Sequence, residues 1–329
     1  MVEVTLVACP LCHRNNNSQR LLCIYCGGQL PVIEGSEFHK LPVVRPMEET
    51  ELGVNLIFFP EESLVDQHTR HEIESVSRLS AELVDLYLQV KSPIPLLRLQ
   101  DETDASLTRH RLLAAGVRTA MIPDADLTLK QLPHRIRQVV WQSDSLDLWG
   151  ADQTLLARLP WSTVTLLVFG ALRFKQTQVI EANNVYGRGR EIKDVSENVT
   201  EELTIDLFGG NLQHHFRIRS DSFDYSCLGN RKRLLVAENF REFCTMLAER
   251  ATQATIDRGF RQVTRLIEPV WPLEKSTERL PLKRIGVGKV TSESVVLADN
   301  QAQLTRYSRM LFLLRSRQIW QPSGMKNEE

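Results

Sequence analysis

The chain has 329 residues, 42% of them hydrophobic and 25% charged, and a formal net charge of −1. At ~150 residues per domain this length predicts two or more domains, and the near-neutral balance excludes a protein coated uniformly in nucleic acid or anionic lipid. No run approaches the ~18 apolar residues of a membrane span and the N-terminus lacks the basic-then-apolar layout of a signal peptide, so a cytoplasmic location is expected.

Residues 1–30 carry the one sharp chemical signal. Cys9-Pro10-Leu11-Cys12 and Cys23-Ile24-Tyr25-Cys26-Gly27-Gly28 each set two thiolates a metal-ligand bite apart on a tight turn. Two such knuckles supply a closed tetrahedral Cys₄ shell for one structural Zn²⁺. In a chain with no export signal, paired Cys-x-x-Cys points to metal before disulfides. The intervening residues suit a short hairpin with Asn15-Asn16-Asn17 at its polar tip, with Gly27 in the turn that leaves the second knuckle and His13 as a bystander. The segment resembles a short rubredoxin-like zinc ribbon.

Residues 31–52 read as a linker, because Pro31, Pro42 and Pro46 break any helix and Glu48, Glu49 and Glu51 gather acid. Residues 53–130 then alternate as β-α-α-β-α-β. Val54–Phe59, Ile94–Leu99 and Val117–Ile122 are expected strands; Glu61–Ser77, Ala81–Val90 and Asp104–Ala115 are expected helices, the last stopped by Gly116. Through Leu79-Ser80-Ala81-Glu82-Leu83-Val84-Asp85-Leu86 and Leu112-Leu113-Ala114-Ala115-Gly116-Val117, this unit resembles the C-terminal domain of the ribosomal stalk protein and the related Clp protease adaptor. The resemblance implies a protein-binding domain without catalysis. The stalk domain's glycine-rich approach to its second helix is replaced by Val76-Ser77-Arg78-Leu79, so its translation-factor surface does not carry over. His68, His71 and Glu72 have a spacing that can hold a metal, but a solvated helix face is the expected reading. Asp101, Asp104, Asp124 and Asp126 cluster around the third helix, with Thr103 or Asp104 as its expected cap.

Residues 131–255 read as an antiparallel β body. Leu146/Leu148, Leu203/Ile205/Leu207, Phe216/Ile218 and Phe223/Tyr225/Cys227 alternate with polar residues as half-buried strands do. Ala237, Phe240, Cys244, Leu247 and Ala251 then recur at helical spacing and form a closing helix. This order resembles the bacterial pleckstrin-homology-like fold, a scaffold that binds peptides, domains or lipids. The loop Gln142-Ser143-Asp144-Ser145 has none of the basic residues that the family's lipid binders carry there. Gln176 to Thr200 lacks periodicity and is expected to be a long loop, with Gly187-Arg188-Gly189-Arg190 at its tip; Arg231-Lys232-Arg233 is expected to be a solvated turn, and Cys227 and Cys244 to be buried thiols.

Residues 256–329 form a basic C-terminal extension expected to pack on the body. Gly286-Val287-Gly288-Lys289 lacks the remainder of a phosphate loop and reads as a strand turn. Asp299 or Asn300 should cap a helix whose Leu304, Tyr307, Leu311 and Leu314 share one face, leaving Arg306, Arg309 and Arg317 on the others. The whole is an α+β, multi-domain chain that looks like a bacterial zinc-ribbon protein. No nucleophile, base and oxyanion site assemble in it, and the expected function is a non-enzymatic adaptor or scaffold engaging protein partners. The alternative is a nucleic-acid-binding protein that uses the ribbon and the basic stretch Arg258 to Arg317.

Overall fold

The computed structural model describes residues 6–17, 23–26, 28, 30, 47, 51–63, 66–184, 190–286 and 289–321. The expected linker therefore lies outside the described residues except at Met47, Glu51 and Leu52, and so do Gly27, Gly187 to Gly189, Val287 and Gly288. The molecule mixes helix and sheet, an α+β architecture.

At the N-terminus, β1 (Leu6–Ala8) and β2 (Asn15–Asn17) pair antiparallel with Val7 opposite Asn16. Next come β3 (Val54–Phe58), α1 (Gln67–Ser77), α2 (Ala81–Leu88), β4 (Ile94–Leu99), α3 (Glu102–Ala114) and β5 (Thr119–Pro123). Their three strands form one sheet with β3 in the middle, antiparallel to both neighbours. Asp66 caps α1 through the Thr69 amide and Asp101 caps α3 through the amides of Thr103 and Asp104. The cap of α3 thus sits just before the residues expected, because a cap accepts from amides inside the first turn. Gly116, at φ +80°, ends α3 where a side chain would be strained, and the Val117 amide reaches back to the Leu112 carbonyl.

The larger sheet begins with β6 (His134–Ile136). A separate three-stranded sheet follows, from β7 (Gln138–Trp141), β8 (Ser145–Trp149) and β9 (Leu155–Pro160). Two strands of nineteen residues each come next, β10 (Leu166–Asn184) and β11 (Arg190–Phe208), paired from Leu166↔Phe208 out to Asn183↔Arg190. Residues 176–184 and 190–200 are therefore strand and not loop. Residues 194–200 are all exposed, so nothing selects an apolar stripe there. After β12 (His215–Arg219), residues Ser220–Ser222 and Tyr225–Arg231 are 3-10 helices, the second lying where the alternation of Phe223, Tyr225 and Cys227 led one to expect a strand. Asp224 accepts from the Ser226 amide and turns the chain at that point.

α4 (Val236–Arg250), β13 (Thr255–Asp257), α5 (Phe260–Ile267), β14 (Glu274–Gly286), β15 (Lys289–Asp299) and α6 (Gln301–Ser316) complete the chain. The large sheet runs β14-β15-β10-β11-β12-β6, with β13 beside β10. It is not wholly antiparallel: β6 lies parallel to β12 and β13 parallel to β10. Both reach the sheet from other elements rather than through a hairpin, which is how parallel pairs arise. The β14–β15 hairpin closes across Gly286↔Lys289, the strand turn expected at that position.

The sheet is a wall between two cores. Leu166, Val168 and Leu172 of β10 join the first, with Phe58, Tyr87 and Leu97 of the β3–β5 unit and Phe260, Leu304, Tyr307 and Leu311 of α5 and α6. Leu167 of β10 faces the other side with Ile205 and Leu207 of β11, where Phe240, Phe243, Cys244 and Leu247 of α4 cover it. Ala237 is exposed, and Phe243 and Met246 complete the helix's buried face. A Cβ on Gly170 would meet Leu304 at 3.0 Å and Phe260 at 3.1 Å, so this glycine lets α5 and α6 lie directly on β10.

α6 departs furthest from expectation. Every residue from Gln303 to Leu314 is buried, including Arg306 and Arg309. The helix runs between the large sheet and the β3–β5 unit, so its polar sides face protein as well, and carboxylates meet them. Arg306 lies 3.1 Å from Asp124, which also holds Arg98 at 2.7 Å and accepts from the Gly53 amide and Asn55. Ser308 donates to Asp206 at 2.7 Å, and Arg217, directly across the strand pair, grips both oxygens of Asp206 at 2.6 and 2.7 Å. Arg309 donates to His215 Nδ1 and to the carbonyls of Leu127 and Thr128. Only Arg317 remains at the surface, 2.7 Å from Asp126.

Candidate metal centre

The first knuckle is the turn of the β1–β2 hairpin. The Cys9 amide donates to the Arg14 carbonyl at 3.0 Å and the His13 amide to the Cys9 carbonyl at 2.8 Å, curling Cys9 to Cys12 so that both sulfurs face inward. The second knuckle closes when the Cys23 amide donates to the Gly28 carbonyl at 2.8 Å. The ligand atoms of Cys9, Cys12, Cys23 and Cys26 all lie within 4.8 Å of one another. Cys9 Sγ is 3.6 Å from Cys26 Sγ, and Cys12 Sγ is 3.4 Å from Cys23 Sγ. A tetrahedral ion with ~2.3 Å bonds to sulfur holds its ligands roughly 3.8 Å apart, so these four sulfurs fit one cation of that size.

The surroundings favour the thiolate at Cys9 and Cys23 but not at Cys26. The Cys12 amide, working against burial, lowers the Cys9 thiol. Burial would raise Cys23, but the amides of Tyr25 and Cys26 and the Asn16 side chain outweigh it and bring that thiol to about 6. At Cys26 an amide bond from Gly28 is outweighed by the crowding of the other three sulfurs, and the thiol is pushed up to about 12. Four sulfurs this close cannot all ionise unaided, and a divalent cation removes the conflict.

Asn16 is the residue that sequence reasoning misplaced. It is a strand residue, 2% exposed, and not a hairpin tip. Its Nδ2 donates to Cys23 Sγ at 3.4 Å and to the Arg14 carbonyl at 2.8 Å, while Oδ1 accepts from the Ile24 amide at 3.0 Å. It thereby ties the two knuckles together and orients a ligand, as outer-shell groups of metal sites do. The pairing of Val7 with Asn16, which the structure supplies, accompanies the asparagine's burial. His13 stays exposed and outside the cluster, in the left-handed conformation at φ +55°.

The other candidates do not assemble. His68 and His71 are exposed on α1, and Glu72 is bound to Arg111 at 2.6 Å. Asp101, Asp124 and Asp126 serve, respectively, as a helix cap, the hub of a buried ion network and the partner of Arg317. Arg190 opens β11. Burial pushes the thiols of Cys227 and Cys244 up to about 12, which leaves both inert.

Asp206, His215 and Ser308 bring together the residue types of a hydrolytic triad, but not its wiring. Ser308 donates to the aspartate and not to the histidine, and His215 Nε2 lies 3.0 Å from the same Asp206. All three side chains are at most 1% exposed. Burial lowers His215 despite the aspartate beside it. Nucleophile, base and orienter therefore do not follow in sequence.

No helix among the described residues is long and apolar enough to cross a membrane. Comparison with protein-family models, with curated proteins and with solved structures finds no match to this chain.

Proposed function

We propose that the protein is a non-enzymatic adaptor or scaffold whose N-terminal ribbon is built around one structural Zn²⁺ and whose α/β and β parts engage protein partners. The observation that carries the proposal is the closed four-sulfur cluster, which leaves no ligand position for water or substrate. Zinc suits it because an all-thiolate tetrahedral shell selects Zn²⁺ or an iron–sulfur centre over harder cations, and the ribbon chemistry needs no redox partner. The resemblance of residues 53–130 to the stalk and Clp-adaptor domain, and of 131–255 to the pleckstrin-homology-like scaffold, supports docking as the activity. Two weak surfaces on one chain would raise each other's effective concentration at a shared partner.

The nucleic-acid reading is second. The basic C-terminal stretch that motivated it spends Arg306 and Arg309 inside the fold, and half-buried Arg315 donates to the carbonyls of Thr165 and Gln253. The buried guanidiniums of Arg306 and Arg309 are not available to phosphates.

The test is isolation of the zinc-loaded protein from its own cells under mild cross-linking. Protein partners that survive nuclease and moderate salt are expected. Loss of every partner on nuclease treatment, together with sub-micromolar affinity for DNA or RNA that falls with a log-log salt slope of about −0.9 per duplex phosphate, would establish the rival.

A further inference from the structure

Between the 3-10 helix Tyr225–Arg231 and α4, the chain carries Arg231-Lys232-Arg233-Leu234-Leu235-Val236, all six exposed. Leu234 is 101% exposed, Leu235 61% and Val236 46%, three consecutive apolar side chains to which the fold gives no cover. The loop is built rather than loose. Asn239, itself 3% exposed, accepts from the Arg233 amide at 2.6 Å and donates to the Arg233 carbonyl at 2.9 Å, and the Lys232 amide donates to the Gly229 carbonyl at 3.2 Å. The leucines are thus held out on a fixed base.

Two further features surround this tip. Arg231 is paired with Glu242 at 3.0 Å, whereas Lys232, Arg233 and Arg241 have no ion-pair partner among the described residues. α4 begins with Leu235 at its N-cap and no side chain bonded to its first amides. Leucine is among the poorest residues for that position, although Glu238 in the first turn partly offsets the positive end of this fifteen-residue helix.

A protruding apolar tip needs a partner that closes around it, and cations set immediately behind the tip need anions at that depth. A bilayer offers this order of layers, with acyl chains beneath anionic phosphates. We propose that residues 231–236 form a docking tip for an anionic lipid bilayer. Leu234 and Leu235 enter the acyl boundary, while Lys232, Arg233 and Arg241 meet lipid phosphates. One tip of this size gives reversible, salt-sensitive attachment, since stable anchoring needs more buried apolar surface or a second signal. The inference does not depend on the adaptor reading.

The experiment is flotation of the full-length, zinc-loaded protein with vesicles of phosphatidylcholine alone or with phosphatidylglycerol added. Partition onto the anionic vesicles only is expected. A Leu234→Ser/Leu235→Ser variant should partition at least about tenfold more weakly and a Lys232→Gln/Arg233→Gln variant should lose its dependence on anionic lipid. Both substitutions lie on exposed side chains, and melting temperature and zinc content report whether the fold is intact. A Leu234→Trp variant should be quenched by brominated acyl chains. Failure of the folded wild type to partition onto anionic vesicles overturns the proposal. So does partition that the leucine variant retains, which would mean general charge attraction, or capture of the tip by an acidic protein with no vesicle binding.

Discussion

The ribbon and the α6 region hold together by opposite means. The ribbon's strands are three residues long, and its apolar cluster is Val7, Cys9, Cys23 and Leu30, separate from both larger cores. Its four cysteines lie within about one hairpin of sequence, and under the proposed function a bound cation would supply most of its stability. α6 lies between the large sheet and the β3–β5 unit, with partners drawn from Asp124, Asp206, His215 and Arg217 far away in the chain. One region is set by local spacing, the other by what distant segments place beside it.

Removing the metal should have the largest effect and the narrowest reach. Zinc binding in comparable peptides is worth ~10–16 kcal/mol, so Cys23→Ser or a strong chelator should abolish stoichiometric metal and melt the ribbon. The main thermal transition should barely move, because among the described residues the cluster of Val7, Cys9, Cys23 and Leu30 is separate from both larger cores. A metal analysis with calorimetry checks this; a large shift of the main transition would mean that the ribbon is integral to the body.

Breaking the α6 network should do the reverse. Asp206→Ala leaves Arg217 buried at 6% exposure without its carboxylate, and losing one partner of a buried pair costs about 3–5 kcal/mol. Urea unfolding should show that loss in the global transition with zinc content unchanged. Asp206→Asn, which keeps the shape and one acceptor, should cost less.

Acid should find the second region before the first is stripped of metal. His215 is lowered by burial, so the unfolded chain binds its proton more readily; its contribution is full above roughly pH 6.5 and fades as pH falls below that value. Asp206 is also buried, but Arg217 and His215 overcome the desolvation and hold it far below the usual carboxylate range. Its contribution is full above about pH 4 and is lost as pH falls further. Asp257 works in the opposite sense, since burial raises it and the folded state takes up its proton first. Melting temperature should therefore drop from pH 7 to 5, and His215→Gln should flatten that part of the curve.

The smallest expected effect is local. Asp101→Ala removes the side chain that accepts from the Thr103 and Asp104 amides at the start of α3 and should cost about 1 kcal/mol without touching either region. A loss several times larger in urea unfolding would show that α3 is coupled to the α6 network.

Legibility followed the same division. Cys-x-x-Cys spacing pointed to the four ligands because a knuckle is complete within four residues, and Asn16 escaped notice because its role needs the strand pairing with Val7. In β11 the alternation of Leu203, Ile205 and Leu207 was visible. Thr204 and Asp206 looked like a solvent face, since period-two polarity is the same whether the polar side meets water or a polar helix face. Residues 194–200 of β11 were invisible for the converse reason, being all exposed with no buried face to impose a pattern.

By itself, then, the sequence determined the four-cysteine cluster, the β-α-α-β-α-β element order and the apolar stripe of α6, all of which depend on spacings shorter than a few turns. The tertiary structure alone decided that α6 is covered on every side, that Arg306 and Arg309 are internal, and that β14 and β15 extend the large sheet. The physical reason is that a charged side chain carries no local mark of whether its counter-charge is water or a buried carboxylate brought from more than a hundred residues away.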